Sequence, residues 1–93
     1  MSLTFEWDDD KAAANWRKHR VSFGEAATAF GDPRSLTIHD PDHSTLDEDR
    51  FILIGMSSED RVVLVVHTER ADNIRIISAR TATRRERSSY EEG

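Results

Sequence analysis

The chain has no cysteine, only two prolines and four glycines, and no long apolar run. Without cysteine it cannot contain a disulfide framework or a zinc site built from thiolates. Without a long apolar run it has no membrane-spanning helix, and we expect no signal-peptide core near its start. These absences favour a cytoplasmic protein. With 93 residues there is room for one modest hydrophobic core, so we expect one domain over residues 1–93.

Negative charge predominates, with a formal net charge of −5 at pH 7. This balance argues against unaided binding along the backbone of a polyanion. The charge is unevenly distributed, however. Residues 1–60 carry 6 Lys+Arg against 13 Asp+Glu, a net of −7, whereas residues 61–93 carry 7 against 5, a net of +2. Such asymmetry suggests an anionic ligand on one face and a basic partner on another.

Periodicity and helix-end signals predict the order β-α-α-β-β-β-β-α. Ser22-x-x-Glu25 and Thr83-x-x-Glu86 have the spacing of capping boxes that open helices. The run from Val62 to Thr68 is almost continuously apolar, so we expect it to be the central strand. Strands are predicted over residues 3–7, 34–39, 50–56, 62–68 and 74–80, and helices over 8–20, 22–30 and 84–92.

These elements indicate an α+β fold with two N-terminal helices and one C-terminal helix packed around a mainly antiparallel sheet. Short turns at 57–60 and 70–73 make the later strands an antiparallel meander. Two helices on one face would leave the other face partly open. That open face is available for a ligand or for self-association as a homodimer.

Five arginines lie on the last predicted strand and the helix after it. Arginine offers a planar, permanently charged fork suited to phosphate. On a regular strand Arg75 and Arg80 point to opposite faces unless a bulge intervenes. Arg80 lies beside a helix N-terminus, which favours anions; for the helix arginines a solvated face neutralised by Glu86 and Glu91 is an equal alternative. The five are Arg75, Arg80, Arg84, Arg85 and Arg87.

The first helix carries a polar stripe of Lys11, Asn15 and Lys18 at helical spacing, with His19 beside it. The stripe could contact phosphates, and a histidine can transfer protons near neutral pH. The alternative, which spacing alone favours for His19, is a structural imidazole. In that case the buried face of the helix would consist of Ala12, Trp16 and His19.

Two histidines and two aspartates occur between His39 and His43, as in some metal sites. Their spacing matches no metal site, and the proline among them indicates an exposed loop, so we expect no metal here. His67 is expected in the core. Tyr90 is expected either in the core or as a stacking residue at the edge of a nucleic-acid site.

An ordered set of short motifs, running from residue 5 to residue 90, resembles the BrnT family of type II toxin–antitoxin toxins. The sequence departs from the family pattern at Arg20, where glycine is usual, and at His67, where tyrosine is common. The most informative motifs are Phe5-Glu-Trp-Asp8, Lys18-His19, Glu48-x-Arg50, Thr68-x-Arg70, Arg75-Ile-Ile-Ser-Ala-Arg80 and Glu86-Arg87-x-x-Tyr90.

The resemblance implies a RelE-like fold and an endoribonuclease that needs neither metal nor cofactor and inhibits translation. A ribose 2′-hydroxyl would attack the adjacent phosphate and leave a 2′,3′-cyclic phosphate. It also implies a cognate DNA-binding antitoxin of the BrnA type. The alternative is a non-catalytic or degenerate module that only docks an antitoxin or another partner.

Such chemistry needs a proton acceptor, a proton donor and cations for the pentavalent phosphate. Arg80, with Arg75 or Arg84, would stabilise charge, while Lys18 and His19 would position phosphate or carry protons. Glu86 is a candidate base, although it is expected more strongly as the cap partner of Thr83. Substrate binding is assigned to Lys11, Asn15, Arg50, Arg70, Arg84, Arg87 and Tyr90.

Overall fold

One five-stranded sheet carries the fold, which a computed structural model describes over residues 3–93. The predicted element order is confirmed, with an additional 3₁₀ turn at Ala29–Gly31. Residues 1 and 2 of the predicted domain lie outside the described residues. The elements are β1 (Thr4–Glu6), α1 (Asp9–His19), α2 (Phe23–Thr28), β2 (Leu36–Asp40), β3 (Arg50–Met56), β4 (Val62–Arg70), β5 (Asn73–Thr81) and α3 (Arg84–Glu92).

The strands lie in the order β1-β5-β4-β3-β2. Strands β2 to β5 form the predicted antiparallel meander, and β4 is the central strand, as its continuous apolar run indicated. β1 pairs with β5 in parallel over three residues. The sheet is therefore mixed, with its one parallel pair at the edge that β5 shares with β1.

Helices α2 and α3 begin at the predicted caps, and α1 is capped by Asp8, the first residue of its predicted range. The Asp8 carboxylate accepts from the backbone N–H of Lys11 at 3.0 Å, and the Ser22 hydroxyl accepts from that of Glu25 at 2.9 Å. Thr83 and Glu86 form the full reciprocal capping box. Within residues 3–93 no helix is long and apolar enough to cross a membrane.

The Glu25 side chain does not complete the predicted box at Ser22. Glu25 is buried. Its carboxylate accepts instead from the hydroxyl of Ser57 at 2.7 Å and from the guanidinium of Arg61. Hydrogen bonds from Arg61 hold the pKa of Glu25 below its usual value. This pair ties the start of α2 to the β3–β4 turn, because a buried carboxylate needs a cationic partner.

The hydrophobic core lies between α2 and one face of the sheet. The prediction that Trp16 belongs to a buried face of α1 is wrong, since Trp16 is 46% exposed. α1 turns Asn15 inward instead, because it packs against β5 where backbone polar groups need partners. The core residues are Val21, Phe23, Ala26, Ala29, Leu53, Val63, Val65, Ile76 and Ala79.

Asn15 completes the edge of β5 beyond the end of β1. Because β1 pairs only with residues 73–75, it leaves the backbone of Ala79 without a strand partner on that edge. The Asn15 amide donates to the carbonyl of Ala79 at 2.8 Å and to that of Val21 at 2.9 Å. Its oxygen accepts from the N–H of Ala79 at 3.0 Å. One side chain thereby satisfies both backbone groups of a buried residue.

A bulge in β5, the exception that the sequence prediction left open, changes the relative orientation of two arginines. Ile76 pairs with His67 and Ser78 pairs with Val66, so Ile77 has no partner across β4. Ile76 and Ala79 both belong to the core although they are three positions apart in the sequence. A regular strand would place them on opposite faces. Arg75, before the first, and Arg80, after the second, therefore share the open face of the sheet.

Arg20 ends α1 in the left-handed conformation, with φ 55° and ψ 34°. Its backbone N–H donates to the carbonyl of Trp16 at 2.9 Å, which closes the last turn. Glycine adopts this conformation without steric cost and is the usual residue at such a helix end. The departure at Arg20 therefore leaves the turn in place but adds local strain.

Candidate active site

The open face of the sheet contains a cavity of about 400 Å³. Its floor is apolar and consists of Ile52, Val66 and Leu64 on the adjacent strands β3 and β4. Its rim is polar and combines cations, imidazoles and two carboxylates: His19, Asp40, His43, Arg50, Arg80 and Glu86. Four of these six residues, His19, Arg50, Arg80 and Glu86, were predicted site residues, and they come from α1, β3, β5 and α3.

Arg80 makes a two-point ion pair with Glu86 at the junction of β5 and α3. Its two terminal nitrogens donate to the two carboxylate oxygens at 2.8 and 2.9 Å. One of them also donates to the carbonyl of Thr81 at 3.2 Å. A guanidinium has five N–H donors, so these three bonds leave two for a ligand. The fork is thus held rigid while part of it stays available to an oxyanion.

The ion pair also decides the protonation of Glu86. Hydrogen bonds from Arg80 and the backbone N–H of Thr83 lower the pKa of Glu86 from 4.5 to about 2. A carboxylate of such low basicity is a weak proton acceptor at neutral pH. The geometry of Glu86 matches the role that the sequence favoured more strongly, that of cap partner of Thr83. The carboxylate has a second role, since it also orients Arg80.

His19 reaches the same cavity from the last residue of α1. Asn15 lies four residues earlier, on the same side of the helix, and is fixed to the backbone of β5. The amide therefore acts as an anchor that brings the C-terminal end of α1 to Arg80. The ring of His19 is half-buried at the rim.

Arg50 and Arg75 extend the positive charge along the open face. Both pair in register with Thr68 on the central strand, from opposite sides. Each has an acidic neighbour: Arg50 donates to Glu48 at 3.4 Å, and Arg75 donates to Glu6 at 2.9 Å. Together with Arg80 they place three guanidinium-bearing residues on one side of the sheet.

The remaining predicted residues lie away from the rim of this cavity, as far as the described residues show. Lys11, Lys18, Arg84 and Arg87 are exposed on helices, and Arg70 is exposed beside Glu48 at 3.5 Å. Asn15 is buried with its amide bonded inside the protein, which leaves little capacity for a substrate.

Tyr90 is in the core, one of the two places expected for it. It is 5% exposed, and its hydroxyl donates to the carboxylate of Asp32. That bond raises the pKa of Tyr90. A ring packed in this way joins α3 to the segment before β2 and is not exposed for stacking on a base.

A larger cavity of about 510 Å³ lies beside the start of β3 and the end of β4. Four acidic residues line it, against a single arginine, Arg70. This charge balance is unfavourable for a polyanion. The smaller cavity beside Arg80 is therefore the better candidate for a phosphodiester. The acidic residues are Asp47, Glu48, Asp49 and Glu69.

The two histidines of the motif that runs from the end of β2 into the following loop each pair with a different aspartate. His39 bonds to Asp49 at 3.1 Å, and His43 bonds to Asp40 at 2.7 Å. Across residues 3–93 no group of three or more His, Asp or Glu side chains is placed to hold a metal ion. His43 also lines the cavity, a position that sequence reasoning missed because no pattern links this loop to Arg80.

The sequence model of the BrnT family, described as the ribonuclease toxin of a type II toxin–antitoxin system, matches residues 7–86. This chain belongs to the BrnT family. Membership confirms the resemblance seen in the sequence, and it implies an RNA substrate and an antitoxin partner.

The fold agrees with a solved structure, the Brucella abortus ribonuclease toxin BrnT. The two chains superimpose with a TM-score of 0.63 at 20% sequence identity, over 89% of this chain and 100% of the other. None of the curated proteins matches the chain at a significant level. The structural match supports the α+β architecture, while the family assignment comes from the sequence match.

Proposed function

We propose that this BrnT-family protein is an endoribonuclease that cleaves RNA without a metal ion, by attack of a ribose 2′-hydroxyl on the adjacent phosphate. The observation that carries the proposal is that His19, Arg50 and Arg80 line the same cavity, above an apolar floor. A proton-transfer group and cations for a pentavalent phosphate are the groups that this reaction requires. The scaffold is a RelE-like variant.

In this reaction the O2′–P bond forms as the P–O5′ bond breaks. The 2′-hydroxyl proton passes to a base, and a proton is delivered to the departing 5′-oxygen. Arg80 would bind the non-bridging oxygens through its two remaining N–H groups, because Glu86 already fixes the plane of the guanidinium. Arg50 and Arg75 would bind neighbouring phosphates of the RNA chain. Glu86 is a positioning residue in this scheme.

Purified protein incubated with a labelled RNA tests the proposal directly. We expect cleavage that persists in EDTA and products that end in a 2′,3′-cyclic phosphate. Arg80→Ala should reduce the rate about 10²–10³-fold, as loss of one oxyanion donor does elsewhere. Arg17→Ala is the matched control, since Arg17 is exposed on α1 outside the cavity. RNA that stays intact at high protein concentration would contradict the proposal.

One observation favours a second function. Arg80 is already charge-compensated by Glu86, as expected for a module in which the arginines only dock a partner. The RNA assay separates the two functions. If wild-type protein leaves RNA intact but binds an antitoxin, the chain is a non-catalytic or degenerate member of the family.

We also propose inhibition of translation in the cytoplasm and neutralisation by a BrnA-type antitoxin. Inducing the gene alone should arrest growth and protein synthesis, and coexpression of the antitoxin should restore both. The acidic surface of residues 1–60 suits a basic antitoxin segment, so affinity should fall as salt rises. Homodimer formation through the open sheet face is a further proposal, which light scattering tests.

A further inference from the structure

We propose that His43 is the proton donor to the leaving 5′-oxygen, that Asp40 positions it, and that His19 is the opposing proton acceptor. This inference rests on the proposed RNA cleavage and deepens it. It assigns a role to a loop residue outside the motifs that carry the family resemblance.

Two imidazoles line the cavity of Arg80 from different parts of the chain. His19 ends α1, whereas His43 lies three residues after the end of β2. The loop between β2 and β3 brings His43 to the rim of the cavity. An RNA phosphate held by Arg80 would therefore have one imidazole from the helix and one from the loop.

His43 is anchored by a buried carboxylate. Asp40 is 8% exposed at the end of β2, opposite Arg50 in the strand register. Its Oδ2 lies 2.7 Å from Nδ1 of His43, whose side chain is 68% exposed. Because Nδ1 is bonded to Asp40, Nε2 is the nitrogen left for a ligand.

The carboxylate distinguishes the two imidazoles. A charged imidazolium in the cavity that Arg50 and Arg80 also line would face like charges, and Asp40 supplies the opposite charge beside His43. Among the described residues no carboxylate forms an ion pair with His19. The pairing with Asp40 therefore suits His43 to the role of proton donor, and His19, which has no such partner among these residues, to that of proton acceptor.

The proposed step balances without a further reactant. His19 takes the 2′-hydroxyl proton as the O2′–P bond forms. His43 gives its Nε2 proton to O5′ as the P–O5′ bond breaks. The products are a 2′,3′-cyclic phosphate and a free 5′-hydroxyl, with one imidazole now protonated and the other neutral.

RNA with a bridging sulfur in place of O5′ at the cleaved bond tests the donor role, because a thiolate leaves without being protonated. We expect His43→Ala to cleave ordinary RNA about 10²–10⁴-fold more slowly than wild type but to cleave the sulfur-bridged RNA within a few-fold. Asp40→Asn should show the same selectivity to a smaller degree. His19→Ala should lose activity on both substrates.

His39→Ala is the matched control, because His39 lies in the same region but outside the cavity lining. It should cleave both RNAs as wild type does. Thermal unfolding of each variant, with His43→Gln as a second substitution, verifies that the fold is retained.

Two results would overturn the donor role while leaving RNA cleavage intact. They are equal rates for His43→Ala and wild type on ordinary RNA, and equal losses for His43→Ala on both RNAs. Wild-type protein that cleaves neither RNA would remove the proposed function, and this inference with it.

Discussion

Arg80 and Glu86 join the end of β5 to the first turn of α3 through two parallel hydrogen bonds of 2.8 and 2.9 Å. The same carboxylate accepts from the backbone N–H of Thr83 at 2.8 Å. One acidic side chain thus caps a helix and fixes the plane of the cation proposed to bind phosphate. In the proposed mechanism, this ion pair contributes both to stability and to catalysis.

Glu86→Gln should destabilise the protein by about 1–2 kcal/mol at pH 7. In the folded wild-type protein the pKa of Glu86 is about 2, below the ordinary value of 4.5. The contribution of Glu86 is therefore complete above about pH 5 and is lost as pH falls towards 2. Urea unfolding from pH 7 to pH 3 should show the gap between wild type and variant closing. Glu91→Gln, at an exposed ion pair of 3.7 Å, is the control; a gap independent of pH would refute the account.

Asn15→Ala should be among the most destabilising substitutions on α1. It leaves the N–H and carbonyl of Ala79 without their partner, at about 1–3 kcal/mol for each buried group. Lys18→Ala, on the exposed side of the helix, should stay within about 0.5 kcal/mol of wild type. Chemical denaturation measures both, and similar stabilities for the two variants would contradict the anchoring role.

Arg20→Gly should stabilise the protein, because Arg20 holds φ at 55°. Relief of left-handed strain is worth about 1–2 kcal/mol, partly offset by the loss of the guanidinium over Trp16 at 5.6 Å and by the greater chain entropy of glycine. We expect a net gain of about 0.5 kcal/mol. Arg20→Val should lower stability instead, since β-branching raises the strain. Thermal unfolding of both variants measures these changes in stability. An Arg20→Val protein more stable than wild type would disprove the assignment of strain to Arg20.

His67 should make the protein sensitive to mild acid. Burial lowers the pKa of His67 below 6.5, and its ring packs between Phe30 and Phe51. The unfolded chain therefore binds a proton that the folded chain excludes. Stability should fall as pH drops below about 6.5, by up to about 1.4 kcal/mol per pH unit.

His67→Phe should remove this slope whatever its effect at neutral pH, and His39→Ala should keep it. Urea unfolding between pH 7.5 and pH 5.5 provides the measurement. A slope that persists in His67→Phe would assign the acid sensitivity to other groups.

Local signals in the sequence account for most of the fold. The boundaries of β3 and α3 were predicted at Arg50–Met56 and Arg84–Glu92, because a change of period and a capping box act over a few residues. The place of Trp16 was not predictable in the same way. Hydrophobic spacing favours a buried tryptophan, but the open edge of β5 requires a polar side chain, and Asn15 occupies that position.

The site shows the same division. Arginine content and the order of motifs indicated an RNA phosphodiester and made Arg80 the first candidate. No sequence pattern indicated that His43 and Asp40 lie beside it, because a loop of irregular backbone brings them there. Nor could spacing distinguish Lys18, which is exposed, from its neighbour His19, which lines the cavity.

The sequence by itself determined the element order, the helix caps, the central strand and the family, since each depends on residues close along the chain or on their order. Only the tertiary structure decided which arginines lie on the same face of the sheet. The unpaired residue Ile77 shifts the register of β5 against β4 and turns Arg75 and Arg80 to one face. A bulge depends on how the residues of two neighbouring strands pair, and the periodicity of one strand does not predict that pairing.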